Sequence, residues 1–304
     1  MISQIFSLAF LAQTIRITVP YSLASLGGVY SERGGVVNIA LEGIILNGAF
    51  CATVGTYYTG SPWFGLLCGI AGGLLVAAIH AVISIHVKAD QIISGIALNL
   101  FAVGITKFVL QILFQSSSNS PRIAGLPYIK LGFIQNQPDV AHLLGNPLVL
   151  LTVLIIVASH FIIFKTRFGL RLRSVGENPE AADTVGISVT LYRYYGVLIS
   201  GALAGLAGAW LAFDQHSFTD GMSAGRGYIA LAAMIVGKWN PLGAAAACLL
   251  FGFAESLQIQ LQGGTLPTQF IQMIPYLATI IVLAGFIGKS VAPGADGIPY
   301  EKEK

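Results

Sequence analysis

Apolar runs of bilayer length dominate this chain. They lie near residues 5–27, 36–57, 63–87, 92–114, 146–164, 192–213, 241–261 and 268–287. Each is close to the roughly 20 residues with which an α-helix crosses about 30 Å of hydrocarbon. In hydrocarbon every backbone N–H and C=O must find a partner within the protein, and a helix provides one segment by segment. The composition agrees: of 304 residues only 10% are charged and 55% are hydrophobic, whereas a water-soluble domain carries about 25% charge. The 36 glycines suit helices that approach closely in a membrane. The sequence therefore predicts an all-α, polytopic membrane protein with about 8–9 transmembrane segments.

Several function classes drop out. The net charge of +3 is scattered or sits at span ends, which gives no sign of a nucleic-acid partner. Cys51, Cys68 and Cys248 lie in apolar runs without ligand spacing, so they read as small buried hydrophobes and no metal is expected. No catalytic constellation stands out, so the chain is not expected to be an enzyme. GFIGKS (285–290) lacks the first glycine of a phosphate loop, because position 283 is Leu. The N-terminal MISQIFSLAFLAQTI has no basic residue before Arg16, and is expected to be a span instead of a cleaved signal.

Orientation follows from basic residues, which favour the cytoplasmic side. Lys165, Arg167, Arg171 and Arg173 crowd one loop, Lys88 marks a short turn, and Lys289, Lys302 and Lys304 mark the C-terminal end. The N-terminus and the 115–145 insert are then expected outside, and the C-terminus in the cytoplasm. Parity requires the short apolar piece at 225–237 to count as a crossing, for a total of about nine. One transmembrane domain is expected over 1–290, followed by a polar, loosely ordered cytoplasmic tail at 291–304.

A weak internal repeat fits this topology. GGVVNIALEG (34–43) resembles GRGYIALAAM (225–234), and each copy leads to a Pro and Gly turn and a Gly/Ala-rich helix. By the expected orientation the copies run in opposite directions, the arrangement that transporters use around a midplane site.

Polar side chains inside spans are costly and mark functional candidates. Asn38, Glu42 and Asn47 lie in NIALEGIILNG, where flanking glycines suggest a broken or closely packed helix. Glu255 and Gln258 begin a polar stripe on a later span, and Asn99 belongs to a weaker one. These six are candidate substrate-pathway residues; the alternative is that they hydrogen-bond neighbouring helices. His80 and His86 read as packed or interfacial. Asp214, His216 and Asp220 are expected in a solvated outer loop. An amide-lined route suits a neutral, hydroxyl-rich small molecule.

The stretch RSVGENPEAADTVGI (173–187) is unlike its surroundings. Asn178-Pro179 starts a helix with Pro at its first position, Glu177, Glu180 and Asp183 favour its positive N-terminal end, and Gly186 ends it. Glu180-Ala181-Ala182 followed by Gly186 resembles the EAA---G signature of the coupling helix in bacterial ABC-importer permeases. With SERGGVVNIALEGIILNGAF, GLRLRSVGENPEAADTVGI and GRGYIALAAMIVGKWNPLG, the chain resembles the branched permease family for ribose-type sugars and nucleosides, in its nucleoside, simple-sugar and riboflavin branch. The resemblance covers most of residues 20–290.

That resemblance implies a coupling helix over about 176–187, with Gly176, Glu177, Asn178, Pro179, Glu180, Ala181, Ala182 and Gly186 facing or forming the ATPase contact. It also implies an ATPase subunit that binds ATP and Mg, while this chain holds no cofactor. A second permease chain, related but different ahead of an identical copy, and an outer substrate-binding lipoprotein complete the assembly in a bacterial inner membrane. Riboflavin or a simple sugar are the alternative solutes. A proton-coupled secondary transporter using Glu42 or Glu255 is the alternative mechanism.

Overall fold

The computed structural model describes residues 7–129, 143–262, 267–285 and 291–302. The helices are α1 (Leu8–Arg33), α2 (Leu41–Thr59), α3 (Pro62–Ala81, continued by a π-helical turn over Val82–His86) and α4 (Gln91–Phe114). Then come α5 (Pro147–Lys165), α6 (Arg167–Glu177), α7 (Pro179–Thr184) and α8 (Val189–Gln215). The last four are α9 (Arg226–Val236), α10 (Pro241–Leu261), α11 (Thr268–Gln272) and α12 (Ile274–Gly285). Among the described residues no strand forms, and one isolated bridge joins Asn119 to Thr219.

Helix starts are written clearly in the sequence. α3, α5, α7 and α10 each begin with Pro after a Ser or Asn whose side chain accepts a hydrogen bond from the first turn. Pro at the first position has no N–H to leave unpaired, and the preceding oxygen satisfies another.

Among the described residues five helices are long and apolar enough to cross a membrane: α3 with its π-helical turn, α4, α5, α8 and α10. α1 and α8 form the centre. α1 is buried continuously from Thr18 to Glu32, and α8 from Ala204 to Phe213. Small residues let the backbones approach: a Cβ added at Gly48 of α2 would lie 2.7 Å from the Gly205 backbone of α8.

The packing is reciprocal. α2 and α3 lie on α8, while α9 and α10 lie on α1. Each central helix thus carries the second and third helices of the other half. A chain repeated with opposite sense produces this exchange, and α1 and α8 run antiparallel within it.

Both halves break after the central helix. The expected span at 36–57 becomes helical only at Leu41, because residues 34–40 form a non-helical link. The 225–237 piece is an 11-residue helix that rises about 16 Å, roughly half of the hydrocarbon thickness. Residues 216–225 form the non-helical link before it. The first span continues to Arg33 instead of ending near residue 27, since its terminal charges find protein partners: Trp239 Nε1–H donates to Glu32 Oε2 at 2.6 Å, and Arg33 Nε–H donates to the Trp239 carbonyl at 3.0 Å.

Two expectations are corrected at the periphery. Asp214 is not in a loop; it sits in the last turn of α8 and pairs with Arg16 of α1 at 2.5 Å. The tail is not loose over residues 291–302. Ala295 is buried, and its N–H donates to the Gly176 carbonyl at 2.8 Å. Of the 115–145 insert, residues 130–142 lie outside the described residues; its first part pairs with the loop after α8 through Ser120 N–H to the Phe218 carbonyl and Ile123 N–H to the His216 carbonyl, both 2.9 Å.

Candidate functional site

The N-termini of α2 and the half-length α9 lie against each other, and Glu42 joins them. Its Oε1 accepts from Gly225 N–H at 2.8 Å and its Oε2 from Gly227 N–H at 2.7 Å. The first N–H groups of a helix have no intrahelical acceptor, and a carboxylate there also meets the positive end of the helix dipole. Gly227 is required by the approach, since a Cβ would fall on the Glu42 backbone. Asn99 completes the joint. Its Oδ1 accepts from Gly43 N–H at 2.8 Å, and its Nδ2 donates to the Ile39 carbonyl at 2.9 Å and the Tyr228 hydroxyl at 3.1 Å.

The 34–40 link is held as closely. Val37 N–H donates to Gln91 Oε1 at 2.7 Å, and the Val37 carbonyl lies 3.0 Å from His80 Nε2. His80 Nδ1 reaches Ser94 Oγ at 3.0 Å. Asn38 Nδ2 donates to Ser200 Oγ on α8 at 2.8 Å. Asn47 Nδ2 donates to the Gly72 carbonyl on α3 at 2.8 Å. Asn38, Glu42, Asn47 and Asn99 are therefore engaged in joining helices.

An open space lies elsewhere, between the ends of α1, α5, α8, α9 and α10 on the side away from α6 and α7. There a cavity of about 640 Å³ is lined by Gln13, Arg16, Asn146, Trp210, Asp214, Arg226 and Glu255. That volume falls within the range of about 300–1,000 Å³ of small-molecule sites. Arg226 Nη2 pairs with Glu255 Oε1 at 3.2 Å, and the Tyr21 hydroxyl donates to Glu255 Oε2. Gln258, one turn along α10, is half-buried.

Of the six predicted pathway residues, Glu255 alone is among those lining this cavity. Sequence reasoning did not single out Arg226 or the Arg16–Asp214 pair. The usable signal was Arg16 itself, a charge inside an apolar run. Its partner is 198 residues away, beyond any local pattern. The cavity presents guanidinium donors and carboxylate and amide acceptors beside the largely buried Trp210, a set that can hold a neutral polar ring without a net charge.

At the far end, α6 and α7 form a surface platform. Asn178 Oδ1 accepts from Ala181 N–H at 2.9 Å, and Pro179 opens α7. At its other end Gly186 N–H donates to the Asp183 carbonyl at 2.9 Å and Ile187 N–H to the Ala182 carbonyl at 3.0 Å, with Gly186 at φ 81°. This paired closure needs a left-handed residue, which glycine adopts without strain. Glu177, Asn178, Glu180, Ala181 and Gly186 are exposed, while Gly176 and Ala182 are buried. Ala181 and Ala182 thus do not share a face: Ala182 seals against Val175 and Val189, and Val185, just past the helix, is 73% exposed.

Comparison with known proteins places this architecture. A family model described as branched-chain amino acid transport system / permease component matches residues 10–283. The nucleoside ABC transporter permease protein NupC of Lactococcus lactis is 44% identical, across 94% of this chain and 95% of the relative. The guanosine ABC transporter permease protein NupQ of Bacillus subtilis is 41% identical, across 96% of both chains. NupP, a second guanosine permease protein of the same Bacillus, is 28% identical across 94% of this chain and 86% of the relative. With a match over nearly its whole length and helices that cross a membrane, this chain belongs to the branched-chain amino acid transport system permease family.

Proposed function

We propose that the chain is the transmembrane permease subunit of an ATP-driven importer for nucleosides. The observation that carries this reading is the pairing of a charged and amide-lined cavity at one end of an inverted repeat with a stiff, exposed peg at the other. Similarity to nucleoside permeases over nearly the full length supports the solute class.

In this reading the chain hydrolyses nothing. A separate ATPase subunit binds ATP and Mg and takes the α7 peg through Glu177, Asn178, Glu180, Ala181 and Gly186. Gly176 and Ala182 anchor the peg from below. Because α7 is fixed to α6 and α8 through buried Val175, Ala182 and Val189, a push on it moves the ends of the spans as a body. The solute arrives from a binding lipoprotein on the opposite side, in a bacterial inner membrane, with the N-terminus outside and the C-terminus in the cytoplasm. A second, related permease completes the pathway; the presence of two guanosine permease relatives in one Bacillus supports a mixed pair.

The proton-coupled alternative finds no support in its two candidate carriers. Both oxygens of Glu42 accept backbone N–H groups, and Glu255 is ion-paired.

The test is a mild-detergent pull-down of the tagged chain from its own host. An ATPase and a second permease should accompany it, and Glu180→Arg should lose the ATPase and at least tenfold of nucleoside uptake at unchanged membrane level. Uptake that survives Glu180→Arg would remove the coupling assignment.

A further inference from the structure

The 291–302 segment has no part in the mechanism above, yet it touches every element that the mechanism moves at the α7 end. Gly294 N–H donates to Glu177 Oε2 at 3.1 Å and Ala295 N–H to the Gly176 carbonyl at 2.8 Å, both on α6. Lys302 pairs with Asp183 of α7 at 3.3 Å. Arg193 Nη1 of α8 donates to the Ile298 carbonyl at 2.9 Å, and Lys88 of the α3–α4 turn pairs with Glu301 at 2.8 Å. Gly35 of the 34–40 link abuts both Arg193 and the Ala295 carbonyl.

At the centre of these contacts the Asp296 carboxyl group, its Oδ1 buried, lies against the Glu32 carboxyl group at the end of α1 and in the field of Arg193. Arg193 is 1% exposed. Glu32 also accepts from Trp239 Nε1, and Tyr300 is near Arg193. Two carboxyl groups can hydrogen-bond to each other only with a proton between them. One shared proton leaves a single negative charge, which balances Arg193.

We propose that residues 291–302 form a strap that ties the coupling platform to the 34–40 link, with Asp296, buried against Glu32 and Arg193, as its positioning residue. The strap rests on the coupling role proposed for α7, because its function is to hold the link against movement of that platform. While it is docked, α6, α7, α8 and the link move as one unit, and it must yield for the link to open toward the α7 end.

The sign of the pH dependence follows from Asp296. Burial first of all pushes its carboxyl up from 3.8 to about 7. A raised carboxyl favours the docked state at low pH, and that advantage is lost as pH rises through about 7. One linked proton means that undocking gains up to about tenfold per pH unit between the ordinary carboxylate range and this point, and levels off above it.

The experiment uses the full importer in lipid vesicles. Spin labels at Lys88→Cys and Glu301→Cys, in a background where Cys51, Cys68 and Cys248 are Ser, report strap docking by dipolar broadening. Broadening is expected at pH 6 and should fade by pH 8. Asp296→Asn, which is neutral without needing a proton, should remain docked at both values, and Asp296→Ala should be undocked at both. Broadening that ignores pH, or that fades identically in Asp296→Asn, would overturn the proton-linked strap. Joining the two thiols with a cleavable crosslinker should lower uptake at least tenfold, reversibly on cleavage; unchanged uptake would overturn the positioning role. Co-purification of the ATPase, measured on the uncrosslinked chain, reports separately on the coupling role.

Discussion

The two broken segments are built alike but stand in opposite conditions. The 34–40 link is sealed: His80, Gln91 and Ser200 hold its backbone and Asn38, and the 291–302 strap lies against it. The 216–225 loop is anchored at its ends, by the 118–123 segment and by Glu42, and the helix that follows it borders the open cavity through Arg226. One repeat unit is therefore closed while its inverted counterpart is open. The cavity in this structure lies away from α7, and the difference needs no change in fold, only an exchange of conditions between two related breaks.

The joint that the two breaks share should be the most sensitive point. Glu42→Ala leaves the Gly225 and Gly227 N–H groups without their acceptor and should cost about 3 kcal/mol. Thermal unfolding in detergent measures this, and a variant as stable as the parent would mean that Glu42 is not what joins the halves. The open side comes next. Glu255→Gln leaves Arg226 without its charged partner, a loss of about 2 kcal/mol for a partly buried pair. Uptake should fall about tenfold with membrane level maintained, and exchange of the two charges (Arg226→Glu with Glu255→Arg) should restore part of it.

The closed side should respond locally. Gln91→Leu removes the acceptor of Val37 N–H and should loosen the link by about 1.5 kcal/mol, seen as faster amide hydrogen exchange at residues 34–40 with the cavity side unaffected. Equal loosening on both sides would mean that the two breaks are not independent. The smallest effect lies at the platform, where Asn178→Ala removes the α7 cap at a cost of about 1 kcal/mol. It should weaken ATPase co-purification less than Glu180→Arg does.

Much of this architecture could be read from the residues. The spans, the start of α7 at Asn178-Pro179, its end at Gly186 and the half-length of α9 depend on local chemistry, so local patterns reveal them. Glu42 was legible as a charge that either lines a route or bonds a neighbouring helix, but its partners were not, because Gly225 and Gly227 lie some 183 to 185 residues away. The same distance problem hid the Arg16–Asp214 and Arg226–Glu255 pairs. The docked tail was hidden for another reason. Its Pro, Gly and polar residues have no helical or strand period, and what orders them is a set of acceptors supplied by α6, α8 and α1. Ala182 faces inward because Val175 and Val189 lie beneath it, a contact that spacing within one short helix does not reveal.

The most direct test of unlike breaks is sided thiol labelling in the Cys-free background, with Gln13→Cys in the cavity and Ser94→Cys behind the link. Without nucleotide, a membrane-impermeant reagent should label position 13 from the side away from α7, and position 94 from neither side. Trapping the ATPase in its closed, nucleotide-bound state should change the accessibility of both. Labelling of position 94 from the α7 side in the nucleotide-free importer, or of position 13 from that side, would contradict the closed link and the open cavity together.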